Sequence, residues 1–135
     1  MRHMIKKIDH IGIVVKDLDS SVKQYQTGLG LQYLRTEENK PFNCKIAFLQ
    51  CGDVLIELIE PTGDGPSKQF LQERGEGIHH ICYEVDDIYE VLEHAKANLK
   101  TEYQEPKKGA GDSKVFFLDP SSVCSVETEF VELKK

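Results

Sequence analysis

Gly77-Ile78-His79-His80-Ile81-Cys82-Tyr83-Glu84-Val85-Asp86-Asp87-Ile88 repeats an earlier stretch, Lys7-Ile8-Asp9-His10-Ile11-Gly12-Ile13-Val14-Val15-Lys16-Asp17-Leu18. Shifted by 70 residues, Ile8 meets Ile78, His10 meets His80, Val15 meets Val85 and Asp17 meets Asp87. Self-similarity over such a span decides the architecture before any local pattern is read. It recurs downstream, where Lys45-Ile46-Ala47-Phe48-Leu49 is echoed by Lys114-Val115-Phe116-Phe117-Leu118, and Glu57-Leu58-Ile59-Glu60 by Glu129-Phe130-Val131-Glu132. The chain is therefore built from two like modules, each with a His near its start and a Glu near its end.

Within the first module, Ile8 to Val15 reads as a strand, with His10, Gly12 and Val14 on one face and Ile11, Ile13 and Val15 on the other. Asp17 or Asp19 caps a following helix, whose Val22, Tyr25 and Leu29 recur at helical spacing and which Gly28 and Gly30 close. Strands are predicted over Leu31 to Thr36, Lys45 to Gln50 and Val54 to Glu60, with Glu37 to Asn43 as a polar connection. A linker of about 62–77 carries a short helix, Ser67 to Arg74. The second module repeats the order: strand Ile78 to Val85, a helix capped by Asp87 with the stripe Ile88, Val91, Leu92, Ala95 and Leu99, a short strand Glu102 to Glu105, a glycine-bearing loop Lys107 to Ser113, and strands Lys114 to Leu118 and Ser125 to Leu133. The expected fold is α+β, a single domain 1–135 in which two βαβββ modules, about 5–61 and 78–135, pair into a cupped mixed sheet. Met1 to Met4 precede the first strand and carry no functional reading.

Composition narrows the function classes. With 135 residues, 39% of them apolar and 30% charged, the chain is long enough to bury its own core. A net charge of −6 excludes a broad nucleic-acid surface, which needs clustered Lys and Arg. No apolar run approaches the roughly 20 residues of a membrane helix and no signal-peptide core is present, so a cytoplasmic location is expected. Cys44, Cys51, Cys82 and Cys124 lack CxxC spacing and read as reduced, buried thiols.

The repeat also assembles a candidate site. His10, Glu57, His80 and Glu129 stand at equivalent places, and pairing of the modules would bring two imidazoles and two carboxylates to one point. That set suits one divalent ion, Co, Ni, Zn or Mn, with positions left for water or substrate oxygens. A lone strand His is usually structural, but Glu57 is flanked by Leu55, Ile56, Leu58 and Ile59, and a carboxylate among apolar neighbours is costly unless paired or metal-bound. His79 points away from His80, has Asp9 as its counterpart, and reads as structural. Glu127 competes with Glu129, since a strict 70-residue shift from Glu57 lands on it; the likeness of Glu57-Leu-Ile-Glu to Glu129-Phe-Val-Glu favours Glu129.

Several stretches carry a resemblance to a known family. Asp9-His10-Ile11-Gly12 through Gly28-Leu29-Gly30-Leu31 resembles the vicinal-oxygen-chelate (glyoxalase/bleomycin-resistance) superfamily. Glu57-Leu58-Ile59-Glu60-Pro61, Lys68 to Gly75 with Glu76-Gly77-Ile78-His79-His80, and Glu105-Pro106 with Gly109-Ala110-Gly111 resemble its methylmalonyl-CoA epimerases, with glyoxalase I (lactoylglutathione lyase) next. The resemblance implies a metal-dependent isomerase, epimerase or lyase that moves a proton beside a thioester carbonyl through a metal-stabilised enolate, the metal held by His10, Glu57, His80 and Glu129. Glu129 is then both ligand and base. Partners are a small-molecule thioester and a second copy of the chain as a homodimer, with no nucleic acid and no membrane. A drug-binding resistance protein and a dioxygenase are the less favoured readings.

The sequence departs from the epimerase pattern in three places. Ile46 stands where some epimerases carry a second acid-base Glu, Asp119-Pro120 replaces a His-Pro, and Ser121 to Glu127 lacks a glycine-rich approach to the last ligand. Glu127 is the substitute proposed for the second acid-base group. The glycine-bearing loop reads either as a connection or, by resemblance, as a substrate border with Lys107, Lys108 or Lys114 near a phosphate-bearing tail.

Overall fold

The computed structural model describes residues 3–134. Its elements follow the order β1 (Ile5–Val14), α1 (Leu18–Lys23), β2 (Gln32–Asn39), β3 (Cys44–Cys51), β4 (Val54–Pro61), α2 (Pro66–Arg74), β5 (Gly77–Val85), α3 (Ile88–Asn98), β6 (Lys107–Lys108), β7 (Lys114–Phe117) and β8 (Thr128–Glu132). The class is α+β, and each module is βαβββ, with α2 between the two. The chain divides into two compact units, one of His10–His79 and the other of the described residues before His10 with those from His80 onward.

In the unit of His10–His79 the strand order is β2-β3-β4-β1, with β1 parallel to β4 and the other pairs antiparallel. Alternation along β1 sends its two faces to different cores. Ile13 and Val15 join Leu18, Ala47, Leu49 and Leu58 on the α1 side. Val14, on the face of His10 and Gly12, packs with Ile59, Cys44, Ile46 and the α2 residues Phe70 and Leu71. One end of the His10 face is thus closed by α2. His79 meets the Phe70 ring edge-on at a centroid distance of 5.2 Å.

The unit that begins again at His80 has the order β5-β8-β7-β6, with β5 parallel to β8. Its core is held by Phe116, wholly buried and stacked on Phe130 at 4.9 Å, beneath Ile88, Val91, Leu92 and Ala95 of α3. Those four helical residues sit at the i, i+3, i+4, i+7 spacing that puts one stripe against a sheet. Asp87 caps α3 by accepting from the backbone N–H of Tyr89 and Glu90, and Asp17 caps α1 by accepting from Asp19.

Some boundaries differ from expectation. β2 runs to Asn39, through residues read as connection, because Glu37, Glu38 and Asn39 pair with Ile46, Lys45 and Cys44. Helix α1 stops at Lys23 and passes into a π-turn over Gln24–Gly28, and Gly30 at φ +82° makes the exit. Glu102 to Glu105 is not a strand; the short strand is Lys107–Lys108, hairpinned onto β7. Gly109 closes that hairpin, where an added Cβ would meet Ser113 Oγ at 2.5 Å and Val115 Cγ1 at 2.8 Å. Cys44 and Cys82 are buried as expected, but Cys51, at the end of β3, and Cys124, in a turn, are exposed.

The approach to β8 takes left-handed backbone without glycine: Cys124 has φ 62° and Ser125 φ 64°. Cβ crowding makes this region cost an L-residue roughly 1–2 kcal/mol. Ser125→Gly relieves that strain against a smaller entropic cost, so unfolding in urea is expected to show a gain of about 0.5–1 kcal/mol. An unchanged or lower midpoint would contradict it.

Candidate active site

In the unit of His10–His79, the β1–β4 register sets Gly12 opposite Glu57, so Glu57 lies on the face that carries His10. His10 Nδ1 stands 3.2 Å from Glu57 Oε2, and both residues are only 8% exposed. The row continues outward, with Phe48 of β3 opposite Glu57 and Arg35 of β2 opposite Phe48. The Arg35 guanidinium lies 4.3 Å over the Phe48 ring and its Nε donates to Glu37 at 2.6 Å. Burial pushes the Cys44 thiol up, and the charge of Glu57 adds to the shift.

The other unit is arranged the same way. Cys82 of β5 and Phe117 of β7 both face Glu129 of β8. His80 Nε2 stands 3.4 Å from Glu129 Oε1, and the His80 ring meets Phe117 edge-on at 6.5 Å. Tyr103 packs on Phe117 at 6.3 Å. It is positioned by Thr101, whose hydroxyl donates to Phe117 O at 2.7 Å and accepts from Tyr103 N at 3.2 Å. Burial pushes the Tyr103 hydroxyl up, with Glu129, Glu127 and Glu102 adding to it. Glu127 precedes β8, and its carbonyl accepts from Ile81 N. Its carboxyl is raised above the ordinary range, first by burial and then by the charges of Asp119 and Glu129.

Hydrogen bonds tie the two arrangements to one register. Three residues beyond Glu57, the Glu60 carboxylate accepts from Leu18 N at 2.8 Å; three beyond Glu129, the Glu132 carboxylate accepts from Ile88 N at 3.0 Å. Each β4-type strand thereby holds the first turn of its own module's helix, where a carboxylate also suits the positive helix end. Glu57 and Glu129 occupy equivalent places, and Glu127 lies one strand alternation earlier.

The family model described as the glyoxalase/bleomycin resistance protein/dioxygenase superfamily matches residues 9–117. The chain belongs to this superfamily. The match takes in His10, Glu57 and His80 and ends before Glu129. Among glyoxalase-superfamily relatives, the ethylmalonyl-CoA/methylmalonyl-CoA epimerase of Cereibacter sphaeroides is 36% identical over 95% of this chain and 100% of its own length. The lactoylglutathione lyase of Haemophilus influenzae is 35% identical over 95% of this chain and 93% of its own. A variant of the Streptomyces coelicolor methylmalonyl-CoA epimerase, solved in complex with 2-nitronate-propionyl-CoA, superposes with a TM-score of 0.86 at 31% identity, covering 97% of this chain and 99% of that one.

The geometry adds residues that sequence reading had passed over: Phe48 and Phe117 beside the two glutamates, Arg35 on Phe48, and Tyr103 on Phe117. The two phenylalanines were within reach, because Lys45–Leu49 and Lys114–Leu118 align them. Arg35 and Tyr103 have no such counterpart.

Proposed function

We propose that this protein is a divalent-metal-dependent epimerase of a malonyl-type acyl-CoA thioester. The observation that carries the reading is the pair of repeat-equivalent, largely covered His–Glu contacts, His10 with Glu57 and His80 with Glu129. One imidazole–carboxylate contact at 3.2 or 3.4 Å is ordinary in a protein; two, at equivalent places in two modules, support reading them as a donor set. Imidazole nitrogen and carboxylate oxygen are the donors that Co, Ni, Zn and Mn accept, so the residues fit such an ion. His10, Glu57, His80 and Glu129 would together hold it.

When bound, the ion supplies a Lewis acid for the negative charge that develops on the substrate's carbonyl oxygen. The remaining work falls to the chain. Epimerisation removes a proton from one face of the α-carbon and returns one to the other, which requires two acid-base groups or one that moves. Glu129 takes the first proton in this reading. Glu127, whose carboxyl is raised above the ordinary range first by burial, returns the second. Ile46 accepts no proton. Phe48 and Phe117 flank the two glutamates and keep water from the reacting carbon.

Glyoxalase I is the second reading, favoured by the lactoylglutathione lyase among the relatives. The experiment that separates them is turnover by metal-reconstituted protein, with methylmalonyl-CoA in one arm and the glutathione hemithioacetal of methylglyoxal in the other. Inversion of methylmalonyl-CoA with loss of its α-proton to solvent is the expected result. Turnover of the hemithioacetal alone would transfer the assignment, and turnover of neither would remove both.

A further inference from the structure

Arg35 differs from the other cation of its sheet by the face it occupies. Cross-strand partners share a face, so the register sets Arg35, Phe48, Glu57 and Gly12 in one row on the His10 side. Along these four strands, from His10 onward, the other cation is Lys45. It opposes Glu38 and Glu60 and lies on the α1 side, with Ala47 and Leu49. Within this unit, then, the strands bring a single guanidinium into the row of Glu57.

That guanidinium is held in place and still open. Its Nε donates to Glu37 Oε2 at 2.6 Å, and its centre lies 4.3 Å over the Phe48 ring, so two contacts fix its position. Its two terminal amino groups make no hydrogen bond or ion pair among the described residues. An ion pair with side chains 54% and 50% exposed adds little to stability. What the arrangement supplies is geometry: a planar fork of donors, aimed in advance, of the kind that matches a carboxylate.

The spacing suits a small acyl group. β3 separates β2 from β4, so the backbones at Arg35 and Glu57 are about 10 Å apart at the usual strand spacing. The Arg35 side chain covers part of that gap by reaching over Phe48. Phe48 and Ile46, two residues apart on the same face, offer apolar surface to the hydrocarbon part of a ligand lying across the remainder. A ligand carboxylate placed there meets the like charges of Glu57 and Glu37, and a cation on the same face offsets them. We propose that Arg35 selects the acyl group, its terminal amino groups pairing with the free carboxylate of the malonyl-type substrate over the Phe48 ring. This inference rests on the epimerase reading above and names the residue that tells a carboxylated acyl thioester from a simple one.

The test is calorimetric binding of malonyl-CoA and of acetyl-CoA, which differ by one carboxylate, to metal-reconstituted protein at matched metal content. Wild-type protein is expected to prefer malonyl-CoA. Arg35→Met keeps an aliphatic chain over Phe48 and removes the charge, so malonyl-CoA should bind about tenfold more weakly or worse while acetyl-CoA is unaffected. Lys45→Met removes an equal charge from the other face and should change neither. No preference in the wild type, an undiminished preference in Arg35→Met, an equal loss for both ligands, or the same loss in Lys45→Met overturns the proposal. Inversion of methylmalonyl-CoA is followed separately. Wild-type protein that shows the Arg35-dependent preference without inverting that substrate would remove the epimerase reading and keep Arg35 as the residue that selects a carboxylated acyl group.

Discussion

His80→Ala is expected to leave the protein folded but stripped of its metal. If His10, Glu57, His80 and Glu129 act as the proposed donors, wild-type protein reconstituted with Co, Ni, Zn or Mn should retain about one ion per chain after dialysis. Removing an imidazole would then take away a direct ligand. Even the partners of ligands are worth 10–100-fold in affinity, so a loss of at least about a hundredfold is expected. Turnover should fall with it, and His10→Ala should match His80→Ala, since the two occupy equivalent places. His80 lies outside the apolar core around Phe116, so the cost to folding should be limited to its contacts with Glu129 and Phe117, about 1–3 kcal/mol. Elemental analysis after dialysis, paired with thermal unfolding, checks both halves of the claim. A full complement of ion in His80→Ala would remove His80 from the donor set.

The second large effect separates Glu129 from Glu127. Glu129→Gln should weaken metal binding and lower turnover together, the latter by about 10²–10⁴-fold if the carboxylate is the base. Glu127→Gln should keep the ion. Following α-proton exchange with deuterated solvent separately from inversion then isolates its part: exchange should persist in Glu127→Gln while inversion slows. If Glu127→Gln strips the metal and Glu129→Gln does not, the two glutamates have been assigned the wrong way round. Inversion at the wild-type rate would take Glu127 out of the mechanism.

The fold class was legible because the 70-residue repeat carries it, and each opening strand shows its faces by alternation. The cap at Asp87 was equally legible, since capping is local chemistry, and that of α1 was narrowed to Asp17 or Asp19, of which Asp17 serves. Extents were harder. β2 continues through Glu37 and Glu38 because β3 offers them backbone partners, and a polar stretch announces nothing of that kind in advance. The end of α1 was hidden for a similar reason: its apolar spacing runs on while the backbone has passed into a π-turn. Of the candidate site, the donor types and their equivalence could be read from sequence. The contact of Arg35 with Phe48 could not, because it follows from a register that shifts between Tyr33 and Arg35. Nor could the division into units, which cuts through β1 and β5 rather than through the linker.

That division has a consequence for where the chain can be cut. Each module's opening strand begins in one unit and ends in the other, and the break falls between Asp9 and His10 in β1 and between His79 and His80 in β5. Met4 packs against the core of Val85, Ile88 and Phe116, and Lys6 pairs with Glu84 and Asp86. His79, in turn, rests on Phe70 of the unit that precedes it. A lone module would leave the first residues of its own strand without the side chains they pack on. Residues 62–77 are accordingly the wrong place to divide the chain into independently folding halves.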